Sequence, residues 1–144
     1  MPYPHADECI NPAIESMAWL VVQGRVVEVM NVRTFRIRTD KGDVVDVSVA
    51  NVGEPFDPGA AAVLRKRIVG TRVSIFISPS ATLHNGIAAE VHDRKDRDLA
   101  NYLLRNGMAA FRMEVAYALT GYSECVNRIA EREAKAAGLG IWHH

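Results

Sequence analysis

The residues best placed for chemistry fall in one short span. Asn31, Arg33, Asp46, Asn51 and Glu54 supply two amides, a guanidinium and two carboxylates. Arg36 and Arg38 lie among them, beside Phe35, and His84 stands further along the chain. Small β proteins build sites where strands leave a sheet at adjacent points, because loops held by a rigid scaffold carry function. Here Arg33 precedes a strand, Asp46 sits inside the next one, and Asn51 and Glu54 close it. Either this group is a working site or it is what remains of one, and the function turns on which.

The elements that position these residues can be read from periodicity. Residues 31–34 form a turn into a strand at 34–39, where Phe35 and Ile37 alternate with Thr34, Arg36 and Arg38. That period of two marks a half-buried strand. Lys41-Gly42 makes a turn, and Val45, Val47 and Val49 return as the partner strand. Before them, residues 18–30 are rich in Val and interrupted by Gly24, which marks a bulge or sharp coil in a strand. After the loop at 51–58, Asp57-Pro58 reads as the cap and first position of a helix over 59–69. That helix buries Ala62, Ile68 and either Val63 or Leu64, and its Arg65-Lys66-Arg67 run is a solvated end beside Gly70. Strands at 71–78 and 86–92 flank a loop that contains His84. The alternating charges of residues 93–98 form an exposed turn, and Asp98 caps a helix over 99–106 that stops at Gly107. A last helix spans 122–137, and Ile141-Trp142 pins the end of the chain to the body.

Three antiparallel strands, a helix and two more strands give the chain order of a five-stranded OB barrel. The expected fold class is therefore α+β, mainly β, with a helix between strands 3 and 4 and two C-terminal helices. Residues 1–17 form an N-terminal arm, with a short helical turn after Asn11-Pro12, and residues 18–144 form the domain. Over residues 22–142 the chain resembles the staphylococcal nuclease-like family. The resemblance rests on the strand entry at Thr34-Phe35, the strand-to-loop segment ending at Glu54, and Leu103-Leu104-Arg105-Asn106-Gly107-Met108-Ala109. Ala134-Lys135 and Gly140-Ile141-Trp142 complete it.

The resemblance implies calcium-assisted phosphodiester cleavage, with two metal-binding carboxylates, a Glu that activates water, and two Arg that stabilise the charged phosphorane. Laid on this chain, the family's Asp-Gly-Asp-Thr falls on Asn31-Val32-Arg33-Thr34, its strand Arg on Asp46, and its second metal Asp on Asn51. The general base falls on Glu54, which is kept, and no Arg occurs from Pro79 to Asp93 to replace the second one. Arg33 at a metal position repels a cation by several kcal/mol at intermediate dielectric, and losing members of such a unit costs orders of magnitude in rate. No catalytic residue, metal or cofactor is therefore expected. Arg33 and Asp46 either pair across the hairpin as a charge swap or are solvated separately.

Two functions follow from different classes. One is a non-catalytic module that binds a protein partner or itself, or else single-stranded nucleic acid through Arg36, Arg38 and His84. Protein binding is favoured, because Phe35 alternates toward the core and aromatics make up only 7% of the chain, too few for base stacking. The other is an active phosphodiesterase, with calcium if metal-dependent, recruiting Glu54, His84, His92 or Asp57. A structural domain or small-molecule binder ranks third, since the chain shows no Gly-rich phosphate loop and no metal-spaced Cys/His pattern.

The chain has 144 residues and 49% hydrophobic content, enough for one domain with its own core. Seventeen Lys and Arg balance 17 Asp and Glu, which excludes strong non-specific attraction to nucleic acid or anionic membrane. Cys9 and Cys125 read as two free thiols of a reducing compartment, although one bridge between the arm and the last helix stays open. The start has neither a basic region nor an apolar one, so a cytoplasmic location is expected, or a secreted one if a signal has been removed. His143 and His144 are given no metal role.

Overall fold

A computed structural model describes Cys9 and residues 20–77, 87–95, 97–112 and 121–143. The proposed turn after Pro12 and the loop carrying His84 lie outside them. Strands β1 (Leu20–Val29), β2 (Thr34–Thr39), β3 (Val44–Val49), β5 (Arg72–Ile77) and β6 (Ile87–Asp93) close into a barrel in the order β1-β2-β3-β6-β5. Neighbours are antiparallel except β3 and β6, whose parallel pairing seals the barrel. Closure leaves the barrel itself without a free edge. Helix α1 (Ala60–Ile68) falls between the third and fourth barrel strands, as the chain order requires, and α2 (Leu99–Arg105) and α3 (Gly121–Ala137) follow the barrel.

Alternation decides which side chains fill it. Phe35 and Ile37 of β2, Val47 and Val49 of β3, Val73, Ile75 and Ile77 of β5, and Val91 of β6 are all buried. β1 is long enough to serve two neighbours, pairing with β5 over Leu20–Arg25 and with β2 over Gly24–Val29. Gly24 stands where both pairings meet. A Cβ there would lie 2.5 Å from the Arg38 carbonyl oxygen and 2.8 Å from Ile37, so the residue permits a close strand approach. The bulge expected at Gly24 lies further on, between Val26 and Glu28.

Helix α1 starts later than the Asp57-Pro58 signal indicates. Gly59 occupies the N-cap without a side-chain cap bond, while the backbone N–H of Asp57 donates to Met108 O at 2.9 Å. The buried stripe is Ala60, Leu64 and Ile68, so Leu64 and Ile68 are buried as expected, whereas Ala62 and Val63 face outward. Arg65 and Arg67 are not merely solvated. Arg65 Nε donates to Val29 O at 3.3 Å, and the Arg67 guanidinium covers the Tyr102 ring at 4.2 Å.

Two short strands have no counterpart in the sequence reading. β4 (Val52–Gly53) pairs with β7 (Ala110–Phe111) outside the barrel, and Arg112 N donates to Asn51 O at 2.9 Å. This ladder fixes the loop that carries Asn51 and Glu54. Between the last two helices, the buried Asn101 amide donates to Val126 O at 3.2 Å and to Asn127 Oδ1 at 3.1 Å. Cys9 and Cys125 form a disulfide with Cα atoms 5.8 Å apart, which corrects the expectation of two free thiols. Their separation lies within the range a bridge can span.

Candidate functional site

The turn before β2 is held by the first of the candidate residues. Asn31 Oδ1 accepts from the backbone N–H of Arg33 at 2.8 Å and of Thr34 at 2.9 Å, an Asx-turn that orients the strand entry. Arg33 is half-buried, and its Nε donates to Val49 O at 3.1 Å. Its backbone carbonyl accepts from Val49 N at 2.8 Å, so the residue is clamped against the end of β3.

Asp46 does not pair with Arg33 in the structure. Register places Asp46 opposite Arg36, and Thr34, between Arg33 and Arg36, opposite Ser48. Arg36 Nε donates to Asp46 Oδ1 at 2.9 Å and its second amino group to Oδ2 at 3.4 Å, with Glu28 3.4 Å away on the other side. The Asp46 hydrogen bond and charge raise the Arg36 pKa above its ordinary value. The proposed Arg33–Asp46 swap is corrected for a reason of parity: Arg33 falls on the face of Phe35 and Ile37, whereas Asp46 shares the outer face with Arg36. Arg38 is exposed at the far end of β2, opposite Val44.

Asn51 is fully buried and takes φ 68°, a left-handed conformation that Asn tolerates better than most residues. Glu54 is exposed, and Asp57 is half-buried. Hairpin geometry thus gathers Arg33 and Asn51 around the end of β3, keeps Asp46 outside with Arg36, and leaves Glu54 on the surface.

A second cluster lies on the outer face of β6; the sequence reading placed Glu90 and His92 in a strand and Asp98 at a helix cap without joining the three. Glu90 and His92 alternate with the inward Ala89 and Val91, and Asp98 caps α2 by accepting from Ala100 N at 2.9 Å. His92 Nε2 lies 3.3 Å from Glu90 Oε2, and one ligand atom from each of the three residues falls within 4.8 Å of the others. Burial, then the Glu90 charge, push the Asp98 carboxyl up to about 7 against the opposing effects of His92 and the Ala100 and Asn101 amides. The sequence did hold a signal: acid and imidazole two apart on a strand share a face, and an acidic helix cap follows closely.

A family model, staphylococcal nuclease homologue, matches residues 26–144. The chain belongs to this family. No curated protein matches the chain. Membership agrees with the barrel, and the site positions are those that the resemblance assigns, Asn31, Arg33, Asp46, Asn51 and Glu54. At those positions the donor set does not suit calcium, which calls for several oxygen ligands, carboxylates among them. Asn31 Oδ1 already accepts two backbone N–H groups, Arg33 is a cation, and Asn51 brings no charge.

Proposed function

We propose that this staphylococcal nuclease homologue is a non-catalytic binding module. The Arg36–Asp46 pair carries the reading. At Asp46, the position to which the resemblance assigns a phosphate-stabilising Arg, an acid is engaged by a neighbouring guanidinium through two contacts. An acid there repels a phosphodiester instead of stabilising its developing charge. Glu54 keeps the identity of the general base but has no carboxylate metal site beside it in this scheme.

A protein partner or a second copy of the chain is the favoured ligand, ahead of single-stranded nucleic acid. Phe35 is fully buried and offers no face to a base, and Arg36 is already committed to Asp46 and Glu28. A mainly apolar groove of about 620 Å³ is lined by Leu20, Val21, Val22, Val45 and Ile77 together with Lys41, Asp43 and Asp46. Leu20 and Val21 are about half exposed, which suits burial against apolar side chains of a protein segment. The compartment reading moves with the Cys9–Cys125 bridge, since such bonds persist in oxidising surroundings. Among the described residues, no helix is long and apolar enough to cross a membrane.

The test combines a calcium titration with a cleavage assay on single-stranded DNA and RNA. Neither a calcium-dependent thermal shift nor cleavage is expected, whereas calcium-dependent cleavage would establish the rewired phosphodiesterase instead. Oligonucleotide binding measured across salt concentrations then separates the ligands, because phosphate contacts impose a steep salt slope.

A further inference from the structure

We propose that Glu90, His92 and Asp98 form a binding site for a divalent transition-metal ion of the zinc class, separate from the family's calcium positions. The inference is independent of whether the chain cleaves or binds.

The backbone brings the three ligands together from two rigid elements. Glu90 and His92 project from the same face of β6, which is hydrogen-bonded on one side to β5, with Glu90 opposite Phe76 and His92 opposite Ser74. Asp98 sits at the first turn of α2, and an isolated bridge between His92 and Asp98 ties the two segments. Two of the side chains are further oriented. The Phe76 ring packs against His92 with centroids 4.7 Å apart, and the Ala100 amide holds Asp98 Oδ1.

The spacing is that of a metal site. Zinc binds imidazole nitrogen and carboxylate oxygen at about 2.0–2.2 Å, so tetrahedral ligands stand roughly 3.3–3.5 Å apart. His92 Nε2 and Glu90 Oε2 are already at 3.3 Å, and the whole set lies within 4.8 Å, which small side-chain rotations close. One nitrogen and two oxygens from three residues suit a borderline ion better than calcium, which takes six to eight oxygens. Three protein ligands also leave a fourth position for water or an exogenous donor.

Charge favours the same occupant. Glu90 and His92 are largely shielded, with side chains 18% and 13% exposed, and Asp98 is buried. Two carboxylates in so confined a space repel each other, and a divalent cation offsets both. The nearest guanidinium in sequence, Arg97, turns away to Asp93, where its Nε lies 2.8 Å from Oδ2.

The experiment is zinc binding by competition with a chromophoric chelator, under non-reducing conditions so that Cys9 and Cys125 stay bridged. His143→Ala/His144→Ala in every protein removes the terminal histidines as competing ligands. One zinc per chain is expected, weakened roughly 100-fold or more by His92→Gln and by Glu90→Gln, since even partners outside the ligand shell matter 10–100-fold. Asp98→Asn keeps an oxygen for the helix cap and serves as a third variant should either of the others fail to fold. Cobalt substitution gives a second readout: the visible absorption of a four-coordinate ion, absent from His92→Gln. Absence of stoichiometric zinc, or unchanged affinity and cobalt spectra in folded variants, would overturn the site in favour of a metal-free hydrogen-bonded cluster.

Discussion

At Asn51 the backbone is left-handed, the side chain is fully buried, and the carbonyl accepts from Arg112. Its backbone therefore selects a residue that tolerates positive φ. Asn51→Asp, which restores the metal ligand that the resemblance assigns to this position, places a carboxylate at a fully buried side chain. The expected loss is about 1–3 kcal/mol at neutral pH, read from urea melts, and millimolar calcium should not recover it. A stable variant, or one rescued by calcium, would show that the metal position had survived the exchange of its residues. The turn at Asn31 and the burial of Phe35 were legible in the sequence, because both follow from local chemistry. The partner of Asp46 was not, since it depends on which residue register sets opposite it.

Elements were legible in proportion to their periodicity. The alternation of Phe35-Ile37 and Val45-Val47-Val49 gave the hairpin, and Asp98 and Gly107 gave the limits of α2. The two-residue strands β4 and β7 carry no period, and the Glu90–His92–Asp98 cluster required knowing that α2 returns to the outer face of β6. The turn between these last two elements makes an acid-sensitive joint. Burial tends to raise the Asp93 pKa, but the Arg97 and Lys95 amides and the Arg97 guanidinium outweigh it, so the carboxyl lies below its ordinary 3.8. A depressed folded pKa stabilises above the ordinary value and loses that contribution as pH falls through the folded one. Asp93→Asn should therefore melt below wild type at pH 7, with the gap closing as the pH drops below about 4. A gap that is constant with pH would remove the carboxylate from the explanation. At the other end of α2, Gly107 and Gly140 meet backbone to backbone, with Ile141 N donating to Gly107 O at 2.9 Å. A Cβ on either glycine would collide with the other segment, and both have positive φ. Gly140→Ala should cost roughly 2 kcal/mol or more in thermal denaturation, against a few tenths for an exposed change.

For the molecule as a whole, the barrel and its appended helices were legible from chain order, while the covalent tie across them was not. Cysteine count alone cannot report a distance, and only the fold brings Cys9 against Cys125, Val126 and Ile129. The bridge spans a sequence separation of 116, so it restricts most of the unfolded chain. It also reaches outside the matched family region, which begins at residue 26. The barrel core, with Phe35, Ile37, Leu64 and Ile75 buried, does not include Cys9 and should fold without the bridge. Its contribution is then a stability increment, and a cross-link that closes so long a loop contributes about 4–5 kcal/mol by restricting the unfolded state. Reduction, or Cys125→Ser, should lower the unfolding free energy obtained from urea melts by that amount while leaving a cooperative transition. Should the reduced protein instead lose its cooperative transition, the arm would be part of the folding unit, and the boundary between arm and domain would have to be redrawn.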